Sequence, residues 1–314
     1  MKRILIIKHG AFGDVVLSMY PLFAIKDHYK NSHITVLTGS LYYDFFKSIP
    51  FVNDIKIDNR PRIYNLLWYL KFLYWFRKKN FEWVFDLQTS KRTNIYFYFF
   101  SFLKKINWNG TAKNSSHPHI NPNRVNLHTI DRQKEQLACA GIKLRKKPDW
   151  NLFKKKDTKF KFKKPYAMIV AGGSKHRHNK RWSTINFLKL IQFLNKKKII
   201  SVLIGGKGEE LLFNNNFKKH NNVINLIGKT TFNDLANISS KASLIVGNDT
   251  GPMHLIVVCS PKNIKKIVLF GSGSDPKLCA PKAENVFILR KKNINEISPS
   301  EVQKIINKKN YRKV

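Results

Sequence analysis

Acidic residues are scarce in this chain: 19 Asp plus Glu stand against 58 Lys plus Arg in 314 residues, a formal charge of +39. The resulting positive field attracts phosphates, anionic lipid or nucleic acid without choosing among them. Lysines are spread over the whole chain beside many Asn, Ile and Phe, a pattern that biased nucleotide composition also produces. Cysteine is nearly missing. Cys139, Cys259 and Cys279 are an odd set without paired spacing, which excludes a disulfide framework and a zinc site and points to a reducing compartment. There is no Asp-x-Asp pair and no His/Cys group of recognised ligand spacing, so no metal signature is present. Long apolar runs are lacking too. "MKRILIIKHG" starts basic, but its apolar run stops at Lys8, too short for a signal peptide or a membrane span. A cytoplasmic protein is expected. A basic recognition helix, a zinc finger and an RNP-like aromatic strand are all missing, which leaves charge and aromatic content as the only support for a nucleic-acid-binding protein.

What is there is a rhythm of short strands and helices, and 314 residues suffice for two domains. "RILIIK" (3–8), "HITVLTG" (33–39), "VNDIKID" (52–58) and "FEWVFDLQ" (81–88) read as strands separated by helical lengths, with a bend expected at Pro21 of the first helix. A polar stretch, 113–126, precedes a helical segment, and a Lys-rich, poorly periodic link covers 144–165. The rhythm then restarts with "YAMIVAGGS", "STINFLKLIQFLNK", "IISVLIGG", "FNDLANISSKA" and "SLIVGND". Two α/β domains with parallel sheets are expected, 1–155 and 156–314. Two stretches, 62–79 and 95–105, are aromatic and flanked by basic residues. Both are below the roughly 20 apolar residues of a bilayer span, and their rings beside Lys and Arg suit either the headgroup boundary or the face of a sheet. Trp68, Trp75 and Phe99 are the candidate lipid contacts.

Four places concentrate groups able to act together. "IVGNDTGPMH" (245–254) runs from a strand into a tight turn and a helix, with Gly251 permissive for the backbone and Pro252 suited to a first helical turn. Such a junction offers unpaired N–H groups and a helix dipole to an anion, phosphate above all. In the plainer alternative Asp249 or Thr250 caps the helix. His254 falls one turn beyond Thr250 and Gly251, on the same face. In "KHGAFGD" (8–14), Gly10 and Gly13 clear space above the first strand, and Asp14 is either a helix cap or a carboxylate at the carboxyl end of the sheet. "AGGSKHRHNKRW" (171–182) places Gly173 and Ser174 before Lys175, His176, Arg177, His178, Lys180 and Arg181, a cation cluster that grips a diphosphate or a solvated loop. In "GGKGEE" (205–210), Glu209 and Glu210 are positioned to accept ribose hydroxyls.

Taken together, G-x-x-G-D near the N-terminus, "DLQ" at 86–88, "GGS" with "KRW" at 180–182 and "GNDTGPMHL" at 247–255 resemble glycosyltransferase family 9, the ADP-heptose:lipopolysaccharide heptosyltransferases. The resemblance implies a GT-B fold of two facing Rossmann-like domains, with the acceptor on the N-terminal one and the nucleotide sugar on the C-terminal one. It makes Asp14 the general base and Lys180 the cation near the donor phosphates. Gly173, Ser174, Asp249, Thr250, Gly251 and His254 become donor-binding, with Glu209 or Glu210 on the ribose. Ala171, "HLIVVCS" (254–260) and "GSGSDP" (271–276) depart from the family pattern and leave the sugar open. The implied reaction is inverting transfer of a heptose or related sugar from an ADP-sugar to the acidic lipopolysaccharide inner core at the cytoplasmic face of the membrane, with no metal or other cofactor. Arg60, Arg62, Lys91, Arg92 and Arg132, with Gly13 and Gln88, are the acceptor candidates. The expected partners are the nucleotide-sugar donor, that acceptor and an anionic membrane surface, and not nucleic acid. A nucleotide-binding scaffold without turnover is the other alternative.

Overall fold

The computed structural model describes residues 1–62, 64–155, 159–162, 165–173, 178–209 and 222–308. The chain divides into two units, Met1–Leu152 and Phe153–Val314, and the division falls inside the Lys-rich link. The first unit runs β1 (Lys2–Ile7), α1 (Phe12–Leu17), α2 (Met19–His28), β2 (Ser32–Thr38), α3 (Tyr43–Lys47), β3 (Asp54–Ile57), α4 (Leu66–Lys79), β4 (Trp83–Asp86), α5 (Lys91–Leu103), β5 (Asn107–Gly110), β6 (His117–Pro118) and α6 (Thr129–Ala138). The second runs β7 (Tyr166–Val170), α7 (Thr184–Lys196), β8 (Ile200–Ile204), β9 (Val223–Asn225), α8 (Phe232–Ser239), β10 (Leu244–Asn248), α9 (Gly251–Cys259), β11 (Lys265–Phe270), α10 (Pro276–Cys279), β12 (Val286–Arg290) and α11 (Pro299–Asn307).

Each unit holds one six-stranded sheet, ordered β3-β2-β1-β4-β5-β6 in the first and β12-β11-β10-β7-β8-β9 in the second. The central pairs β1 with β4 and β7 with β10 are parallel. Counted outward from the first strand of each unit, the two orders are the same doubly wound order. The order reverses between β1 and β4 and between β7 and β10. The carboxyl ends of the strands at such a reversal leave a crevice in which open α/β sheets bind ligands.

The central strands Ile4–Ile7, Tyr166–Val170 and Leu244–Asn248 are buried along their length, as expected of strands covered on both faces. Helix α7 shows why the helices lie where they do. Ser183 caps it by accepting from Asn186 N, and Phe187, Leu190, Ile191 and Leu194 recur at helical spacing on the buried face. The bend expected at Pro21 is instead a break at Ser18, where α1 ends and α2 begins. Proline clashes with the carbonyl four residues earlier, here Leu17. The break therefore lies one turn upstream of the proline.

Both aromatic segments are helices on one face of the first sheet. Asn65 caps α4 by accepting from Trp68 N, and Asn80 ends it in the left-handed conformation at φ 49°. Tyr69, Phe72 and Phe76 of α4 and Tyr96, Phe97 and Phe100 of α5 share a core with Leu5, Ile7, Val84 and Trp108. Each such side chain contributes about 1.5–3 kcal/mol by burial. Trp68 and Trp75 also pack against this core and stack on Phe72, so they are not the free lipid contacts expected of them. Among the described residues no helix is long and apolar enough to cross a membrane.

Candidate functional site

In the first unit the chain leaves β1 through Lys8–Ala11. Gly10 takes φ +135°, and a Cβ there would lie 2.7 Å from the Tyr42 ring, so this turn requires glycine. Ala11 occupies the N-cap of α1 without a side-chain bond, and Asp14 lies partly buried inside the first turn, one residue after Gly13. Asp14 is therefore not the cap. Behind it Lys8 is 4 % exposed and donates from Nζ to the Leu87 carbonyl at 3.2 Å. Burial pushes the Lys8 ammonium below its usual pKa; Asp14 and Asp86 oppose that shift, and Arg132 and Arg124 add to it. Cations and carboxylates thus alternate behind the β1 and β4 ends. Arg124 donates from Nη2 to Thr89 Oγ1 at 3.2 Å and Gln136 Oε1 at 3.1 Å, and its other arm bonds His119. Burial, with Arg132 beside it, brings its pKa down to about 10, so it stays charged at neutral pH.

Beside this cluster a cavity of about 430 Å³ is lined by His9, Gly10, Tyr42, Asp58, Arg60 and Gln88, among others. Its wall is rigid. His9 Nε2 lies 2.8 Å from Asp58 Oδ2, Tyr96 donates its hydroxyl to the same oxygen at 2.7 Å, and Arg60 N donates to Oδ1 at 2.7 Å. Burial acts to raise the Asp58 carboxyl, but His9, Tyr96 and the Arg60 amide outweigh it and hold the pKa low. Gln88 Oε1 accepts from His9 N at 3.0 Å, which fixes that side chain at the cavity. Gly10 and Ala11 of the turn that leads into α1 line the cavity, and Asp14 follows in the first turn of that helix.

The other acceptor candidates separate from this pocket. Arg92 is a brace, donating to the Pro61 carbonyl at 3.0 Å and the Tyr69 hydroxyl at 3.2 Å. Arg62 is exposed and donates to Tyr64 Oη at 2.7 Å. Lys91 is exposed at the start of α5. Arg132 donates to Thr129 Oγ1 at 2.9 Å and joins the charge cluster around Lys8. The sequence reading passed over Arg124, because only the folded chain brings the polar 113–126 stretch back to β4.

In the second unit β10 delivers Asp249 to the N-terminus of α9. Asp249 Oδ2 accepts from Lys180 Nζ at 2.7 Å and from Ser274 Oγ at 2.5 Å, and His254 Nε2 lies 3.7 Å from Oδ1. Burial alone would raise this carboxyl. His254, Lys180 and Ser274 together win, and the pKa falls well below the usual carboxylate range. Thr250 occupies the N-cap of α9 with no side-chain cap bond, so neither Asp249 nor Thr250 caps the helix. Among the described residues, Thr250 Oγ1 and His254 Nδ1 are buried without a hydrogen-bond partner. With the free N–H groups of the first turn around Gly251, an unfilled polar lining results.

At the end of β10, Asn248 fastens the two flanking turns. Its Oδ1 accepts from Trp182 N at 3.1 Å, and its Nδ2 donates to the carbonyls of Ala171 and Gly172 at 2.9 and 3.1 Å. Glu209 bridges the two glycine turns, accepting from Gly173 N at 2.6 Å and from Gly206 N at 2.7 Å, with Arg181 Nη2 at 3.7 Å. A Cβ on Gly172 would meet this carboxylate at 2.0 Å, so the glycine makes room for it. Ser174 and Glu210 lie outside the described residues, as do Lys175, His176 and Arg177. Ser274 and Asn248 were missed as site residues, although both lie inside motifs legible in the sequence. Among the described residues no three His, Cys, Asp or Glu side chains are grouped to hold a metal.

Residues 70–309 match the model of glycosyltransferase family 9 (heptosyltransferase). The chain belongs to this family. As a family 9 glycosyltransferase it is 26 % identical over 275 residues to lipooligosaccharide heptosyltransferase 2 of Campylobacter jejuni, covering 82 % of this chain and 78 % of that protein. It is 22 % identical to the lipopolysaccharide core heptosyltransferase OpsX of Haemophilus influenzae, over 81 % of this chain and 75 % of the other. Among solved structures, the E. coli ADP-heptose lps heptosyltransferase II superposes with a TM-score of 0.76 at 17 % identity over 98 % of both chains. E. coli heptosyltransferase WaaC with ADP superposes at 0.75 and 18 % identity, over 97 % of this chain and 98 % of that one. The fold of this family 9 glycosyltransferase is accordingly GT-B.

Proposed function

We propose that this glycosyltransferase moves a heptose from an ADP-sugar to a hydroxyl of the lipopolysaccharide inner core, with inversion at the anomeric carbon, at the cytoplasmic face of the membrane. The observation that carries the reading is the Asp249 clamp: a lysine, a serine and a histidine gathered on one buried carboxylate at an uncapped helix N-terminus. Such a terminus favours phosphate. As the glycosidic bond breaks, charge builds on the leaving diphosphate. Lys180 and the N–H groups around Thr250 and Gly251 meet that charge where it develops, which lowers the barrier more than it tightens ground-state binding. This needs no metal to support the leaving group. A carboxylate offers about four acceptor sites, so Glu209, with two backbone donors already bound, has capacity left for ribose hydroxyls. Asp14, free of any capping duty, takes the proton of the attacking hydroxyl. Arg60, with Gln88 in the cavity wall and the Lys8, Arg124 and Arg132 cluster behind, suits an acidic acceptor. The names of the relatives point the same way: the C. jejuni and H. influenzae proteins are lipooligosaccharide and lipopolysaccharide core heptosyltransferases, and the WaaC structure holds ADP.

The test is incubation of the purified chain with a panel of nucleotide sugars and inner-core acceptors, read by mass spectrometry. Heptose added to the acceptor from ADP-heptose, in the anomeric configuration opposite to the donor's, is expected. Transfer from a uridine or guanosine sugar in preference to ADP-heptose would overturn the donor assignment, and retained configuration would overturn the role of Asp14.

A further inference from the structure

Helices α4 and α5 bury one side against the first sheet and leave the other uncovered. On α4 the uncovered side carries Leu66, Leu67, Leu70 and Tyr74, between 54 and 73 % exposed, and on α5 it carries Tyr98 at 52 % and Phe102 at 91 %. The helices touch through Tyr69 and Phe99 and through Phe76 and Phe100. Both contribute to a single core on the same face of the sheet, so their uncovered sides point away from it together. Contiguous apolar surface of this kind on a monomer marks a binding face.

The charge around it chooses the occupant. Lys71, Arg77, Lys78 and Lys105 are exposed at its border, and neither 59–81 nor 87–130 contains a single Asp or Glu. A face of Leu, Tyr and Phe rimmed only by cations matches the boundary of an anionic bilayer, where the rings and aliphatic chains enter the headgroup layer and the lysines meet phosphate. The same rim repels a second copy of this +39 chain. Only a short stretch of chain separates the face from the cavity: Arg60 lines the cavity, Arg62 bonds Tyr64, and Leu66 begins α4.

We infer that the Leu66–Tyr74 and Tyr98–Phe102 faces of α4 and α5 form a docking surface for anionic phospholipid, which sets the Arg60-lined cavity beside a lipid-anchored acceptor. The inference rests on the proposed function for the acceptor and stands apart from it for the lipid. α4 lies in the interface plane and does not enter the hydrocarbon as a span. The exposed Arg77 and Lys78 of its last turn hold the C-terminal end at the headgroups.

The experiment is sedimentation of the full chain with vesicles of phosphatidylethanolamine and phosphatidylglycerol, against vesicles of phosphatidylcholine alone. The triple variant Leu67→Ser, Tyr74→Ser, Phe102→Ser changes only exposed side chains. It should need at least roughly tenfold more anionic lipid for half-binding, with its melting temperature unchanged, since binding strength scales with the apolar area buried in the headgroup layer. The variant Lys71→Gln, Lys78→Gln, Lys105→Gln should lose the preference for anionic over neutral vesicles and most of the salt dependence. Undiminished vesicle binding by the serine variant overturns the inference. A dimer that this variant dissociates in sedimentation velocity also overturns it, because the face would then belong to a second copy. Transfer assays separate the two readings. The serine variant should keep its rate on a lipid-free acceptor fragment and lose it on vesicle-embedded acceptor, whereas no transfer in either format by the unaltered chain would defeat the proposed function and leave the vesicle result standing.

Discussion

The β4–α5 turn of the first unit and the β10–α9 turn of the second hold the same place in their sheets, and they are finished in opposite ways. At β4–α5 the helix start is closed by its own side chains. Asp86 Oδ1 accepts from Gln88 N and Thr89 N, and Ser90 with Thr93 forms a reciprocal capping box at the start of α5. At β10–α9 the carboxylate turns to Lys180 and Ser274, and the helix is uncapped. The two carboxyls also move in opposite directions. Burial wins at Asp86, whose pKa is raised, while the groups around Asp249 beat burial and lower it. A helix start that closes on itself serves the fold. One left open at the carboxyl edge of a sheet keeps its N–H groups for something else.

The sharpest way to press this comparison uses the second open group, Asp14. Asn has nearly the same shape and caps helices about as well as Asp, but it does not accept a proton. For Asp14→Asn a fall of roughly 10² to 10⁴ in the transfer rate is expected, with melting and ADP affinity close to those of the parent. A variant that turns over normally would show that the open carboxylate does nothing.

Next in size is Lys180→Met, which leaves Asp249 buried without one of its three partners. Removing one member of a buried pair costs about 3–5 kcal/mol, visible in urea unfolding, and ADP binding by calorimetry should weaken alongside. The sign with pH follows from the lowered Asp249 carboxyl. The pair stabilises fully above the unfolded carboxylate value, about pH 4, and that stabilisation is lost as pH falls through the folded value. The gap between parent and variant should therefore hold across neutral pH and close in strong acid. ADP affinity unchanged in Lys180→Met would remove the lysine from the phosphate site.

The direct contrast of the two turns comes from Ser90→Ala and Thr250→Ala. Ser90→Ala deletes a working cap and should cost about 1 kcal/mol of stability with nucleotide affinity intact. Thr250→Ala deletes a hydroxyl that caps nothing, so stability should stay within about 0.5 kcal/mol while ADP affinity drops. Equal loss of stability in both would erase the distinction between closed and open ends.

A separate test concerns Lys266, 1 % exposed, whose Nζ donates to the carbonyls of Lys262, Ile264 and Glu284. Burial pushes its pKa down to about 8 from 10.5. Between those values the unfolded chain binds the proton more strongly, so stability should rise with pH. The parent should gain on Lys266→Met in melting temperature across that window, and parallel profiles would contradict the shift.

The buried central strands were legible because a strand covered on both faces needs an unbroken apolar run, as in Arg3–Lys8 and Leu244–Asn248. No strand is expected from the sequence at Asn107–Gly110, His117–Pro118, Val223–Asn225, Lys265–Phe270 or Val286–Arg290. The first three are short and polar or half-exposed, and pairing with a neighbour makes them strands where local preference does not; Lys265–Phe270 opens on two lysines that interrupt the apolar run, and Val286–Arg290 is a half-exposed edge. At the candidate site, Asp14, Lys180, Asp249, Thr250 and Gln88 stand in short local motifs that a sequence displays. The partners do not. Ser274 reaches Asp249 from 25 residues away, and Arg124 meets Thr89 from 35. Trp68 and Trp75 show the converse: composition singled out these two helices, but the helical phase decided that Leu67, Tyr74 and Phe102 are the exposed ones.

The Asp249 clamp has a further consequence, for how quickly spent nucleotide departs. A lysine waiting alone in a pocket would regain its full hydration deficit each time a diphosphate left, and would hold that diphosphate against departure. Lys180 instead has a counter-ion at 2.7 Å in the empty protein. Under the proposed function, the ammonium would fall back onto Asp249 when the product goes, with Ser274 keeping that carboxylate in place. Exit of the nucleotide would then leave behind a neutral pair rather than a bare charge, a return spring that shortens product residence.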